Sequence, residues 1–325
     1  MNFCTFLGLN KHVDMKITVL ISSVLFLVGV TTLAQQQNIA ERLGHSADAK
    51  LLIIHADDLG VTHSENMASI KGLEESPVNS ASIMVPCPWF PEIAAYAKAH
   101  KETDFGLHLT LNSEWKYYRW GPVTSKDSVA TLIDGDGYLY PLIPGVVNNA
   151  SPEHVEIEIR NQVKRAYEYG INVTHLDAHM GTAITTPEFM AAYIKVGREF
   201  RLPVLLDNQM PSLTDDTIQA MLIATDIVVD HTYTAVPSDF EKGMANYYTE
   251  VISNLKPGLN NILIHLAYDN EEMKGVTVDH PNWGAKWRQD DFDFFTSAEC
   301  KSLLKENNIV LVTWKELRDT IVRGK

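Results

Sequence analysis

The sequence predicts an α/β protein whose mostly parallel strands form a closed or nearly closed barrel. Eight short apolar runs recur along the chain, and each ends in polar or ionisable residues. Continuous apolar runs bounded by turn residues are typical of buried parallel strands. Amphipathic stretches separate the runs, and strands alternating with helices indicate repeated βα units. A doubly wound open sheet is the alternative, although no GxGxxG or phosphate-loop pattern follows any run.

The predicted strands and helices can be placed individually. The strands are LLIIHADD (51–58), SASIMVP (80–86), FGLHLTL (105–111), VTHLDAH (173–179), VLLD (204–207), IVVDH (227–231), NILIHLAYD (261–269) and IVLVTW (309–314). Helices are predicted for PEIAAYAKAHK, SPEHVEIEIRNQVKRAYEYG and TPEFMAAYIKVGREF. The second helix begins with a Ser151 cap before Pro152 and ends at Gly170. Residues 112–149, rich in Gly, Pro, Trp and Tyr, are expected to form an irregular insertion.

Composition and charge narrow the class of protein. With 325 residues and 45% hydrophobic content, the chain can bury a large core, which excludes a disordered protein. A formal net charge of −14 argues against nucleic acid or an anionic membrane surface as a partner. Cys87 and Cys300 lie in no CxxC motif, so a structural zinc site is not expected. The sequence does not determine whether Cys87 and Cys300 pair or whether the chain forms a homodimer.

One segment near the amino terminus resembles a targeting signal. MKITVLISSVLFLVGVTTLA, at 15–34, has a basic start at Lys16, an apolar run to Val30 and small residues up to Ala34. This is the organisation of a secretory signal peptide. An uncleaved membrane anchor is the alternative, although the run is short for a full span. We therefore predict a leader and signal peptide at 1–34, one domain at 35–325, and export to the periplasm or the exterior.

Ionisable residues collect where the predicted strands end. Function in parallel α/β folds lies at the carboxyl ends of strands, so these side chains are expected to meet. Taken singly, an aspartate there often fixes a turn. Several buried carboxylates and imidazoles in one barrel mouth are costly unless a metal or hydrogen bonds compensate. The set comprises Asp57, Asp58, His108, His175, Asp177, His179, Asp230, His231, His265 and Asp269.

The mixture of oxygen and nitrogen donors in this set indicates a divalent cation such as Zn²⁺, Mn²⁺ or Mg²⁺. Within HLDAH, the side chains of His175, Asp177 and His179 point to one side if the segment stays extended. All three can then line one pocket, or one of them can turn outward where the strand ends. Two histidines and one carboxylate would leave coordination positions for water and substrate, as a catalytic site requires.

Three of these segments resemble the YdjC-like carbohydrate deacetylases, which include chitooligosaccharide deacetylases. They are LLIIHADDLGVTHSEN, FGLHLTL and THLDAHMG (174–181), and their order and spacing match the family. The resemblance implies a distorted (β/α) barrel with mostly parallel strands. It also implies a metal-dependent hydrolase that cleaves carbon–nitrogen amide bonds, removing acetyl groups from N-acetylated sugars or oligosaccharides.

The resemblance also implies roles for particular residues. It assigns one divalent ion, Mg²⁺ or Zn²⁺, to Asp58, His108 and His179. Asp57 would be the general base that takes a proton from the attacking water. His265 would protonate the leaving amine. The expected partner is accordingly a carbohydrate substrate, without nucleic acid and without stable membrane association after signal cleavage.

Two departures from the family pattern concern the substrate and the general acid. His265 is followed by Leu-Ala where the family has Pro-Gly, and the segment after Met180 lacks the extra histidines of closer relatives. Both departures leave the sugar and its linkage open. His175 and Asp177 are expected to orient the metal ligands through hydrogen bonds rather than to bind the ion.

Aromatic residues outside the strands suggest a surface for sugar rings. The insertion carries Trp115 and Tyr117, and a predicted later loop carries Trp283 and Arg288. These side chains can stack on sugar, or they can pack their loops onto the barrel.

Two rival functions stay open. One is a metal-dependent phosphoesterase or another amidase that acts on a small molecule. The motif segments are poor in the Arg and Lys that phosphate recognition requires. The other rival is a non-catalytic sugar-binding barrel, which would be expected to lose Asp57 or a metal ligand.

Overall fold

Parallel strands wrap around a common interior in this computed structural model, which describes residues 37–324. The strands are β1 (Lys50–Leu59), β2 (Ser80–Ile83), β3 (Phe105–Leu109), β4 (Leu176–Ala178), β5 (Leu206–Asp207), β6 (Val228–Val229), β7 (His231–Thr234), β8 (Gly258–Ile264) and β9 (Ile309–Leu311). Each of the eight predicted runs contains a strand, and the sixth run contributes to two, β6 and β7. The predicted signal peptide lies outside the described residues, and the boundary at residue 34 stays a prediction.

The strand pairing closes the barrel irregularly. The main sheet has the order β4-β3-β2-β1-β8-β7, with β9 also on β1, and every strand pairing is parallel. β5 and β6 form a separate two-stranded sheet. Leu205 N donates to Leu176 O at 2.8 Å, which joins β4 to the segment entering β5. β6 is followed almost directly by β7, the last strand of the main sheet, so the small sheet bridges the two ends of the large one. The predicted distorted barrel is therefore confirmed, and the open doubly wound sheet is wrong.

Helices follow the strands on the outside of the barrel. Ser151 caps α5 by accepting from His154 N, and Pro152 is its first residue, as the sequence predicts. All three predicted helices are present, as α3, α5 and α6. The helices are α1 (Ile39–Arg42), α2 (His63–Glu75), α3 (Phe90–Ala99), α4 (Ile143–Asn149), α5 (Pro152–Glu168), α6 (Pro187–Glu199), α7 (Asp216–Met221), α8 (Pro237–Lys242), α9 (Met244–Ser253), α10 (Glu271–Val276), α11 (Ala285–Phe295), α12 (Ala298–Glu306) and α13 (Trp314–Leu317).

Three local expectations are corrected. Trp287 and Arg288 lie in α11 rather than in a loop. β4 is shorter than predicted because Met180 and Gly181, with φ of 53° and 71°, turn the chain just beyond it. The insertion at 112–149 is only partly irregular, since it contains α4 and a 3₁₀ helix at Lys126–Leu132.

The side chains of β1 explain where the site lies. Leu51 and Ile53 belong to the apolar cluster inside the barrel, whereas Leu52 and Ile54 belong to the cluster beneath the surrounding helices. Since successive side chains of a strand alternate between faces, His55 and Asp57 continue the interior row. The interior therefore changes from apolar to ionisable toward the carboxyl end of β1.

Among residues 37–324, no helix is long and apolar enough to cross a membrane.

Candidate metal centre and active-site cavity

Adjacent carboxylates reach the barrel mouth because the end of β1 is irregular. The pairing of β1 with β2 changes register between Ala56 and Leu59, and Asp58 has a φ of 67°. Such a bulge re-aims side chains that would otherwise alternate between faces. A left-handed conformation costs energy at a non-glycine residue and is found preferentially at functional sites. Asp57 and Asp58 can thus both line one cavity.

Asp58, His108 and His179 converge as the resemblance implies. Asp58 Oδ1 lies 3.3 Å from His108 Nε2 and 3.3 Å from His179 Nδ1. One ligand atom from each residue falls within 4.8 Å of the other two, and all three residues are buried. Donor atoms about 2.1 Å from a tetrahedral ion lie about 3.4 Å apart, so this spacing suits a small divalent cation.

The hydrogen bonds around the triad also suit a cation. His108 Nδ1 donates to Asp177 Oδ1 at 2.7 Å, and His179 Nε2 lies 3.1 Å from Glu114 Oε2. Each imidazole therefore directs its other nitrogen toward Asp58, the arrangement of metal-binding histidines held by carboxylates. Asp58 Oδ1 is buried and accepts no hydrogen bond from the described residues. This orphaned oxygen between two nitrogens is the strongest local sign that the residues fit a metal.

Electrostatics at the triad favour positive charge. Burial opposes protonation of His108, but the Asp177 and Asp57 carboxylates raise its pKa well above the usual range. Burial likewise opposes protonation of His179, while Glu114 and Asp58 raise its pKa to about 9. The carboxylates thus create a negative potential that a divalent cation would neutralise in place of the protons.

A buried ion pair fixes the other side of Asp58. Arg288 Nη2 donates to Asp58 Oδ2 at 2.8 Å, and its Nη1 donates to Glu65. Burial favours the neutral carboxyl, but Arg288 and the two histidines hold the pKa of Asp58 well below its usual range. Burial and, to a smaller extent, the charge of Asp58 raise the pKa of Glu65, while Arg288 lowers it. The net result is a pKa well above the usual range. One guanidinium thus keeps Asp58 ionised and leaves Glu65 the more easily protonated carboxyl.

His55 connects Asp57 to the residue that orients His108. Its Nε2 lies 3.0 Å from Asp57 Oδ1 and 2.6 Å from Asp177 Oδ2, and its Nδ1 lies 2.8 Å from Ser80 Oγ. Burial opposes protonation of His55, but the two carboxylates raise its pKa to about 9. A positively charged imidazole here would hold both carboxylates in place.

The structure separates the two residues expected to orient ligands. Asp177 contacts His108 directly, as the orienting role expected from the sequence requires. His175 instead lies one layer deeper, where it stacks on Trp314 and meets the edge of His55. Its ring packs beneath Gly106, where even a Cβ atom would collide with it. Of the two residues, the structure thus places Asp177 against a proposed ligand, and the role of His175 stays a prediction.

A cavity of about 460 Å³ opens above the triad, within the usual size range of ligand sites. His265 lines it, and its Nε2 lies 3.8 Å from Asp58 Oδ2. Burial lowers the pKa of His265 to about 4, with Asp58 opposing this shift and Arg288 adding to it. His280, which the sequence did not single out, also lines the cavity.

The aromatic candidates have different positions. Trp115 and Trp283 line the cavity. Trp115 is otherwise buried against Tyr118, so it also packs the insertion onto the barrel. Tyr117 is 74% exposed and lies outside the cavity lining, so its role in substrate binding stays a prediction. Arg288 lines the cavity but is buried and occupied by two carboxylates, which makes it a positioning residue for Asp58.

Sequence reasoning missed three partners of the site. His55 lies two residues before Asp57, so strand alternation alone could have placed both on the interior face. Glu114 comes from the insertion, where no motif marks it, and Glu65 comes from α2, inside the first family motif but without an assigned role. Their contribution depends on chain segments that meet only in the folded protein.

Fold and site together define an α/β barrel with a buried two-histidine, one-carboxylate centre at its mouth. The chain matches the family model described as YdjC-like protein over residues 51–306. It therefore belongs to the YdjC-like family, which confirms the resemblance noted in the sequence.

Named relatives and a solved structure extend this comparison. A carbohydrate deacetylase of Thermoanaerobacter pseudethanolicus is 26% identical over 269 residues, which is 83% of this chain and 100% of that protein. A carbohydrate deacetylase of Thermus thermophilus is 28% identical over 292 residues, 87% of this chain and 99% of that protein. A proposed cellobiose-phosphate cleavage protein of Enterococcus faecalis V583 has a TM-score of 0.70 at 20% identity, covering 83% and 99% of the two chains. This structural similarity supports the barrel fold.

Proposed function

We propose that this protein is a metal-dependent carbohydrate deacetylase that hydrolyses the acetamide of an N-acetylated sugar or oligosaccharide. The observation that carries the proposal is the unpartnered Asp58 Oδ1 facing His108 and His179, with Asp57 in the same cavity. Membership of the YdjC-like family and the names of the two relatives support the substrate class. Mg²⁺ or Zn²⁺ is the ion that we propose for the three ligands.

A divalent ion held there would supply a Lewis acid that makes water more acidic and polarises a carbonyl. Asp57 accepts the proton of the attacking water. Its Oδ1 is engaged by His55 and accepts from Ser82 Oγ at 3.4 Å, while the carboxylate also lines the cavity. These contacts orient Asp57, and a fixed base at hydrogen-bonding distance is what proton abstraction requires.

Cleavage of the carbon–nitrogen bond leaves an amine that must receive a proton. His265 lies at the cavity wall, just beyond the end of β8. Asp291 Oδ2 accepts from His265 N at 3.0 Å, which fixes the backbone from which the imidazole extends. We assign proton delivery to His265 on this position. Because its pKa of about 4 leaves the resting imidazole neutral, His265 must gain a proton during the reaction before it can pass one to the amine. His280 is the cavity histidine that serves as its comparison.

The phosphoesterase alternative is disfavoured by the charges at the cavity. Arg288 is the one Arg or Lys among the described residues that line it, and both sides of its guanidinium are engaged by carboxylates. A phosphoryl group would need a cation free to pair with it. The sugar-binding alternative is disfavoured because Asp57 and the three proposed ligands all converge on one cavity.

We also propose that the protein is exported, on the basis of the signal-like segment at 15–34. Cleavage after Ala34 would give a mature chain that begins at Gln35. Amino-terminal sequencing of the protein from culture fractions tests this. A full-length chain found only inside cells would contradict it.

Acetate release from a panel of N-acetylated mono- and oligosaccharides tests the proposed activity. We expect release by the mature protein, its loss with a chelator, and its recovery when Mg²⁺ or Zn²⁺ is returned. His265→Ala should lower the rate by about 10²–10⁴-fold, as expected for loss of a general acid. His280→Ala, the matched control, should change it much less. Ion bound stoichiometrically without acetate release from any sugar would contradict the deacetylase and favour another hydrolase.

A further inference from the structure

A second cavity of about 360 Å³ adjoins the first, with which it shares six lining residues. The two cavities share Asp57 and His108, so a group held at the candidate metal centre is within reach of both. The second cavity extends between β4, β5 and β7 rather than toward the aromatic loops. Neither the motifs nor the proposed chemistry gives it a role.

Two polar atoms in its wall have no partner. Asp207, at the end of β5, is only 4% exposed, and its Oδ2 accepts no hydrogen bond from the described residues. The hydroxyl of Thr232, on β7, is also buried and unpartnered among the described residues. Both residues line the second cavity. Burying a carboxylate oxygen and a hydroxyl without hydrogen-bond partners destabilises the fold, unless a bound ligand supplies the missing hydrogen bonds.

The rest of the Asp207 side chain is held rigidly. Its Oδ1 accepts from Gln209 N at 2.6 Å, which closes a turn directly after β5. The turn fixes the carboxylate, so a ligand that binds Oδ2 causes little further loss of side-chain freedom. Apolar side chains complete the wall, namely Ile184, Leu205, Met210, Pro211 and Leu263.

We propose that this second cavity is a sugar subsite in which Asp207 and Thr232 hydrogen-bond to ring hydroxyl groups. The inference rests on the proposed deacetylase function and adds to it which residues select the sugar. A pyranose ring presents hydroxyl donors at its edge and apolar C–H groups on its face. The carboxylate and hydroxyl match the edge, and the apolar wall beside them matches the face.

These two residues are expected to favour sugars that carry the matching hydroxyl groups over analogues that lack them. A site built to hydrogen-bond a hydroxyl discriminates strongly against an analogue that lacks it, because its buried polar atoms are then left unpaired. Asp207 accepts hydrogen bonds only, so a single-deoxy sugar that lacks its donor should be a poor substrate. Removal of Asp207's acceptor should abolish that discrimination.

The test uses Asp207→Asn and Thr232→Val in the full mature protein. Asp207→Asn retains an oxygen for Gln209 N but replaces the unpartnered oxygen with an amide, and Thr232→Val removes the hydroxyl at nearly constant volume. We expect kcat/KM for the best N-acetylated sugar to fall by about tenfold to a hundredfold in each variant. Asp216→Asn, which removes the same charge from an exposed site outside both cavities, should match the wild type.

Single-deoxy analogues of that sugar separate recognition from a structural effect. In the wild type, one analogue should be turned over at least tenfold less efficiently than its parent, and Asp207→Asn should reduce this ratio toward one. Unchanged kcat/KM and unchanged ratios in both variants would overturn the subsite.

Calorimetric binding of the same sugars distinguishes this inference from the proposed function. Sugar binding that weakens in Asp207→Asn, without acetate release by the wild type, would support the subsite while the deacetylase proposal fails. Sugar binding that is identical in the wild type and both variants would overturn the subsite whatever the activity.

Discussion

Replacing Asp57 with asparagine is expected to slow acetate release by about 10²–10⁴-fold while leaving ion binding intact. The new side chain could still contact His55 and Ser82, but an amide cannot accept the proton of the attacking water. The ion would be retained because Asp57 lies outside the triad of Asp58, His108 and His179. Steady-state kinetics and calorimetric titration with Mg²⁺ or Zn²⁺ measure the two quantities separately.

Asp58→Asn is the matched comparison, because it changes the neighbouring aspartate in the same way. The orphaned Oδ1 of Asp58 lies between the two histidines, so this variant should lose ion binding as well as activity. A rate within threefold of the wild type in Asp57→Asn would remove the general base from the mechanism. Equal ion affinity in Asp58→Asn and the wild type would contradict the proposed ligand set.

Replacing Arg288 with methionine is expected to lower the free energy of unfolding by about 3–5 kcal/mol at neutral pH. Arg288, Asp58 and Glu65 are all buried, and one guanidinium contacts both carboxyl groups. Methionine fills much of the same volume, but it leaves Glu65 without a counterion and removes one of the positive charges around Asp58. Urea unfolding of the metal-free protein, followed by circular dichroism, measures the loss independently of ion binding.

A second substitution identifies the cause of that loss. Adding Glu65→Gln to Arg288→Met removes one of the two carboxyl groups and should recover part of the lost stability, which gives a measurable coupling between the sites. Lys116→Met is the control, because its ion pair with Asp279 is exposed and should contribute little. If Arg288→Met unfolds at the same urea concentration as the wild type, the buried pair does not stabilise the fold.

The sequence alone determined the parts of this protein that depend on local pattern. Each of the eight apolar runs produced a strand because uninterrupted apolar segments must be buried on both faces. α5 begins at Pro152 after the Ser151 cap because capping is a local interaction. The HADD, GLHL and HLDAH segments identified the family and placed Asp58, His108 and His179 at strand ends, where parallel strands bring them together.

Only the tertiary structure decided which neighbours complete the site. His175 and Asp177 share one face of the HLDAH pattern, yet Asp177 reaches His108 and His175 packs on Trp314, because His175 lies two residues further from the barrel mouth. The sequence pattern predicted a substrate-binding loop around Arg288, but α11 carries this residue inward to Asp58.

Local pattern also assigned no role to Glu65, Glu114 or Asp207, although Glu65 lies in the first motif and Asp207 ends a predicted strand. Their partners are more than sixty residues away along the chain or, for Asp207 Oδ2, absent from the described residues. Periodicity reports which face of a strand or helix is buried, but not which distant side chain lies opposite. The hydrogen bonds and charges around this site therefore arise from the packing of the barrel, whereas the three proposed metal ligands belong to local strand motifs.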